Sequence, residues 1–478
     1  MNYRMLIYLL SVILLIEAAL LLIPMAVALM YGENPLPFIY TIGLLAVISL
    51  PGIIQKPKNT KIGAKEGFVC VALSWVLMSA FGALPFVFDG AIPNYIDAFF
   101  ETCSGFSTTG ASILKVIEGL PYGILFWRSF THWIGGMGVL VFMLAILPQS
   151  DSAIYLMRAE VPGPTKGKLV PKLRQTAIIL YGIYIVITLA EVIALLISGL
   201  PLYDSLVSTF GTAGTGGFSV KNASIGGYNN PAAEWIIASF MLIFGINFNL
   251  FFLVLIGKWR EALKSEEMRV YLAIAFTATV IITIQTYDRL TGFEQCVRNA
   301  FFQTSSIIST SGFSTTDFNA WPVLSKTILV LLMFIGSCAG STAGGIKTSR
   351  LVIIVKNAVR EVRHMVHPRS VNTVRLDGEP VPEETVKSAV NYMTLYLGVF
   401  IISVMLVSID GPDFETNFTG TLACLNNIGP GLGKVGPAEN YSFYSYFSKT
   451  VLAFDMLFGR LELMPLIILF SPSTWRRR

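Results

Sequence analysis

Charge is what this chain has least of. Asp, Glu, Lys and Arg make up 13% of its 478 residues, against 54% hydrophobic residues. With a mean hydropathy of +0.66, it lies far from the balance of a domain that solvates its surface in water. The three histidines, His132, His364 and His367, belong to no Ser/His/Asp or metal-ligand constellation, so an enzymatic activity has no residues to rest on. The cysteines, Cys70, Cys103, Cys296, Cys338 and Cys424, are odd in number and lack paired spacing; they read as free structural residues. Nucleotide-binding loops are incomplete too. GSTAGGIKT at 340–348 has Ile346 between glycine and lysine, and GTAGTGG at 211–217 has no lysine, so no cofactor is expected to be bound by this chain.

Long apolar runs are what the chain has instead. A helix needs about 20 residues to cross the hydrocarbon core, and ten runs approach or exceed that length: 5–30, 37–54, 67–88, 129–150, 176–197, 235–257, 270–287, 327–355, 388–409 and 450–470. The first is too long for a signal-peptide core and has no Ala-x-Ala-like cleavage site after it, so it reads as a spanning helix. Lys and Arg collect on alternate connections: Lys56, Lys58, Lys61 and Lys65; Arg158, Lys166, Lys168, Lys172 and Arg174; Lys258, Arg260, Lys264 and Arg269; and eight residues from Lys347 to Lys387. Arg4 and Arg476, Arg477 and Arg478 fall on the same side. Both termini are therefore expected in the cytoplasm. The net charge of +5 reports this topology and does not point to nucleic acid.

An internal repeat organises the spans. FFETCSGFSTTGAS at 99–112 aligns without gaps with FFQTSSIISTSGFS at 301–314, and, anchored on glycine, with LVSTFGTAGTGGFS at 206–219 and FTGTLACLNNIGPG at 418–431. Gly110, Gly217, Gly312 and Gly429 then coincide, as do Thr102, Thr209, Thr304 and Thr421 eight residues earlier. Each copy lies on the expected outer side between two spans, and is too short and too poor in charge for an ordinary external loop. Non-helical backbone at membrane depth survives only where it is buried in protein or lines a cavity. Four such loops about one axis meet that condition and can offer rings of backbone carbonyls to a dehydrated cation. A glycine, which readily takes φ > 0, lets successive carbonyls turn toward the axis.

These motifs, with the broken GSCAGSTAGGIK run, LNNIGPGLG, LFGRLE and AEVPGP, resemble the TrkH, TrkG and KtrB potassium-uptake subunits over essentially the whole chain. The two extra N-terminal helices are most like TrkH. The resemblance implies an all-α integral membrane protein with two accessory helices (1–60) and four helix–pore-loop–helix repeats about a pseudo-fourfold pathway. The repeats fall at 61–150, 170–260, 268–356 (with an interrupted second helix) and 385–478. It implies a potassium-selective, channel-like uptake protein of a prokaryotic cytoplasmic membrane, a homodimer regulated by a cytosolic NAD/ATP-binding TrkA-type subunit. The expected filter comprises Thr108, Thr109 and Gly110; Thr215, Gly216 and Gly217; Thr310, Ser311 and Gly312; and Asn427, Ile428 and Gly429, acting mainly through their carbonyls. In the family, glycine at all four filter positions goes with potassium preference, and serine in the first with sodium. Unlike the filter of tetrameric potassium channels, no second glycine follows closely in three of the four loops, so fewer identical carbonyl rings are expected. A sodium- or proton-coupled symporter on the same scaffold is the alternative, with a non-transporting receptor or assembly subunit behind it.

Several polar residues inside spans need placing. The cluster Gly336, Gly340, Ser341, Thr342, Gly344 and Gly345 reads either as an unwound, movable constriction below the filter or as close helix packing through small residues. Arg460 has two readings: a buried pair with a carboxylate of another helix, Glu191 among them, or a side chain facing the pathway. The resemblance implies the second, and a gate made with the glycine cluster. Glu17 and Glu191 read either as marks of an ion route or as paired or snorkelling glutamates, and Arg128 and His132 as interfacial anchors or hydrogen-bond partners. The basic 347–387 connection fits a docking site for a regulatory partner and a plain positive-inside bias equally.

Overall fold

The computed structural model describes residues 1–55, 57, 63–138, 173–287, 292–370 and 372–475. Several expectations lie outside them: Lys56, Lys58, Lys61, Arg158, Lys166, Lys168, Lys172, Arg476, Arg477 and Arg478, the inner half of the 129–150 run, and AEVPGP. Two apolar spans come first, α1 (Tyr3–Leu20), which runs on into α2 (Leu22–Met30), and α3 (Leu36–Ile54). Next come α4 (Ala64–Gly82) with α5 (Leu84–Asp89), the short α6 (Tyr95–Phe106), and α7 (Tyr122–Gly136). The same order of long, short and second helix recurs in α8 (Leu173–Ile197), α9 (Leu202–Gly214) and α10 (Pro231–Phe244) with α11 (Phe248–Leu255). After a helical turn, α12 (Trp259–Leu263), it recurs in α13 (Glu266–Thr286), α14 (Phe293–Ile308) and α15 (Val323–Phe334). The amphipathic α16 (Thr348–Val366) and a two-stranded hairpin, Arg375–Leu376 with Glu379–Pro380, lead to α17 (Glu383–Val407), α18 (Phe414–Leu425), α19 (Tyr446–Arg460) and α20 (Met464–Phe470).

Six helices among the described residues are long and apolar enough to cross a membrane: Tyr3–Met30, Leu36–Ile54, Lys65–Asp89, Gln175–Ile197, Glu266–Thr286 and Glu383–Asp410. Their outward faces carry exposed apolar side chains, such as Val47 at 68%, Val186 at 65% and Met405 at 69%, which suit contact with lipid tails and not with water. The chain is a multi-pass membrane protein. All five cysteines are buried and unbridged.

The second helices depart from the expected continuous spans. The 235–257 run is two helices, α10 and α11, set at 92°. Gly245 ends the first, and the Asn247 side chain caps the second by accepting from Asn249 N–H at 2.9 Å. The 450–470 run breaks after Arg460, where Glu462 (φ 52) and Leu463 (φ 68) are left-handed and Pro465 opens the next turn. The 327–355 run is interrupted where its glycines indicated, between Phe334 and Thr348. That break excludes the close-packed continuous helix. The other two were not expected: Asn247 and Asn249 at one, and Arg460, Glu462 and Pro465 at the other, do not read as breaks in the apolar runs.

Each second helix leans on the short helix of the following unit: α7 on α9, α10 on α14, α15 on α18, and α19 back on α6. Among the described residues three of these seams carry ion pairs: Arg298 to Glu234 and Lys449 to Asp97, each at 2.7 Å, and Lys326 to Glu415 at 4.0 Å. The order 1, 2, 3, 4 and back to 1 closes a ring.

Candidate functional site

Two of the four short helices start with side-chain caps, and all four end alike. Asn94 accepts from Ile96 N–H at 2.9 Å, and Asp413 from Thr416 N–H at 2.9 Å. At the other end, Thr108 N–H reaches Gly105 O at 3.1 Å and Thr109 N–H reaches Ser104 O at 2.9 Å. The same pair of bonds recurs from Thr215 and Gly216, from Thr310 and Ser311, and from Asn427 and Ile428. This is the Schellman ending, which needs a left-handed residue just past the helix. Thr108 (φ 59), Thr215 (59), Thr310 (57) and Asn427 (56) supply it, followed two residues on by Gly110 (80), Gly217 (73), Gly312 (79) and Gly429 (97). Alternating hand turns successive peptide groups to one side. Left-handed threonine is a steric outlier of about 1–3 kcal/mol, maintained here three times over. Sequence reasoning put φ > 0 at the glycines and missed the residues two before them. Asn427, of a type that tolerates this region, was the available signal.

The four glycines meet in the same cyclic order as the helices. A Cβ built on Gly110 would overlap the carbonyl oxygen of Gly216, one on Gly217 that of Ser311, and one on Gly312 that of Ile428; one on Gly429 would lie 2.6 Å from Thr109 O. The twelve residues expected as a filter are thus brought together. On one side all four glycines line a single cavity of about 120 Å³, with Ser112, Ser219, Ser314 and Pro430. The aligned threonines Thr102, Thr209, Thr304 and Thr421 are buried inside the short helices, two turns back from the glycines.

On the other side lies the 336–345 cluster. Gly344 N–H donates to the Thr310 hydroxyl at 2.8 Å, and a Cβ on Gly344 would lie 2.7 Å from that of Asn427. The segment satisfies its own backbone, as buried non-helical chain must. Gly336 N–H bonds Ile346 O at 2.8 Å, Phe248 N–H bonds Gly340 O at 3.0 Å, Cys338 N–H bonds Gly245 O at 3.1 Å, and Ser337 Oγ donates to Ile308 O at 3.0 Å. Glu267 Oε1 accepts from both flanks, Ala339 N–H at 2.7 Å and Ser349 N–H at 2.9 Å. Sequence reasoning missed this clasp.

Arg460 reaches into the same layer. Its guanidinium donates to Thr342 O at 2.6 Å, Gly136 O at 2.7 Å, Gly135 O, and the Thr108 hydroxyl at 3.3 Å. No ion pair joins it to Glu191 among the described residues, and Glu462 pairs with Arg350 instead. The buried-pair reading with Glu191 is therefore not realised. Glu17 and Glu191 are fully buried and form no ion pair among the described residues, Glu191 lying against the Thr212 side chain, so neither is an ion-paired or snorkelling glutamate. Arg128 and His132 are buried, at 2% and 0% exposure, and are hydrogen-bond partners, not interfacial anchors. Arg128 bonds Glu101 at 2.7 Å and Ser219 O at 3.0 Å. Glu101 also accepts from Ser112 Oγ at 2.8 Å and Ile113 N–H at 2.9 Å, and the Tyr441 hydroxyl donates to Gly429 O at 2.7 Å. The loops are braced from outside.

The family model for TrkH, described as a cation transport protein, matches residues 38–477. The chain is 36% identical to the Trk system potassium uptake proteins TrkH of Salmonella typhimurium and of Escherichia coli K12, over 100% of each chain. It is 32% identical to TrkG of Escherichia coli K12 over 95% of this chain and 94% of that one. A solved structure, the potassium transporter TrkH from Vibrio parahaemolyticus, superposes with a TM-score of 0.90 at 33% identity, covering 100% of both chains. The relatives are named as transporters, not enzymes. The chain belongs to the TrkH family of cation transport proteins.

Proposed function

We propose that this chain moves potassium into the cytoplasm through the axis of the four loops. The observation that carries this reading is the cyclic closure of Gly110, Gly217, Gly312 and Gly429, each against the backbone of the next loop. A cation shedding its water needs replacement oxygens, and loops of alternating hand at the ends of four short helices supply carbonyls. The helix C-terminal ends add partial negative charge. On this reading the units 61–150, 170–260, 268–356 and 385–478 are pore repeats and 1–60 is accessory. The twelve loop residues are the filter, and the 336–345 segment with Arg460 is the gate. The names of the relatives support potassium as the cargo. A prokaryotic cytoplasmic membrane with both termini inside, a homodimer and a cytosolic TrkA-type regulator belong to the same proposal.

The test is rubidium uptake by liposomes holding the purified protein, driven by a potassium-diffusion potential. Uptake that is blocked by external potassium, resists external sodium and needs no sodium or proton gradient is expected. Uptake that requires either gradient replaces the channel-like reading with a symporter. No uptake under any gradient overturns transport by this chain alone.

A further inference from the structure

His132 lies on α7, behind the second loop. Its Nδ1 is 2.7 Å from Gly105 O in the last turn of α6, and its Nε2 receives Phe218 N–H at 3.3 Å. The two backbone partners fix the ring's protons. A carbonyl can only accept, so Nδ1 carries hydrogen; an amide N–H can only donate, so Nε2 carries none. Phe218 N–H shares its peptide with the Gly217 carbonyl, and in a planar trans peptide the two point in opposite directions. Holding that N–H against the ring therefore aims the Gly217 carbonyl away from it. The fit is close. A Cβ on Gly216 would collide with the imidazole. The Phe218 and His132 ring centroids lie 4.2 Å apart, and the Arg128 guanidinium lies 3.6 Å from the centroid of the Phe218 ring.

We propose that His132, as the neutral Nδ1-protonated tautomer, is a positioning residue for ion selection: it sets the orientation of the Gly217 carbonyl and ties the second loop to the first short helix. This rests on the filter reading above. The third loop has a different brace, Ser314 N–H on Ser224 Oγ at 3.2 Å, so the histidine is a device of the second loop.

Two measurements test it. With only three histidines in the chain, nitrogen-15 histidine NMR of the reconstituted protein resolves His132 as the signal lost in His132→Gln. At neutral pH it should show protonated Nδ1 and bare Nε2. An Nε2-protonated or charged ring overturns the proposal whether or not the protein transports. The second measurement is rubidium-over-sodium selectivity in liposomes. The Gln amide can serve both partners, whereas Phe keeps the ring's bulk and serves neither. His132→Gln should keep the wild-type ratio, and His132→Phe should lower it several-fold, up to about tenfold. Should His132→Phe not assemble, His132→Asn, whose amide reaches only the Gly105 side, should fall below Gln. Equal ratios for Gln and Phe, or for Gln and Asn, overturn it. Wild-type protein that moves no rubidium counts against the transport reading alone.

Discussion

At single positions the sharpest test is the ring of glycines. Gly110→Ser and Gly312→Ser would each place a Cβ inside the next loop's backbone, at φ 80 and 79. Potassium-over-sodium selectivity should fall in both, with about 1–3 kcal/mol of strain, read as permeability ratios in liposomes; unchanged ratios would refute a shared filter. Arg460 leads to the opposite kind of result. Among the described residues it donates to backbone carbonyls and a threonine hydroxyl, and losing those bonds in Arg460→Ala should cost about 1–3 kcal/mol. The variant should assemble and take up rubidium faster than wild type, since a fixed positive charge below the filter opposes a cation; uptake no faster removes Arg460 from the barrier. The glycines were legible because four copies could be aligned on them. Thr108, Thr215 and Thr310 were not, because a β-branched residue gives no local hint of left-handed backbone, and only the shared helix ending imposes it.

Among the elements, the 336–345 segment was legible because Gly, Ser and Thr interrupt an apolar run. The breaks at Gly245 and Arg460 fall within runs that are apolar over most of their length. Their signals were slight: an asparagine able to cap α11, and a proline at the start of α20. What no sequence pattern offered was the clasp of Glu267 on both flanks of the segment, because its partners lie 72 and 82 residues away. Deleting residues 339–342 should raise basal rubidium flux and weaken dependence on any cytosolic regulator. Flux that stays as low as wild type in a folded deletion would place the gate elsewhere.

Across the whole molecule, repeat order was legible and ring closure was not, since no alignment says which unit touches which. The seam between last and first units rests partly on Lys449 and Asp97, with side chains 5% and 21% exposed. Lys449→Met and Asp97→Asn should each lower the unfolding midpoint in detergent, and the double variant should lose less than the sum, by about 0.5–3 kcal/mol of coupling; strict additivity would show the pair to be incidental. Arg460, on the fourth unit, holds oxygens of the first and the third at once. Those oxygens are of the kind a bare cation would seek, so under the proposed transport the guanidinium would act as a ligand the protein carries for its own ion path. Being tethered, it competes at an effective concentration of about millimolar or more that dilution cannot change. On that proposal, occupancy of the layer by potassium would be weighed against a constant internal rival.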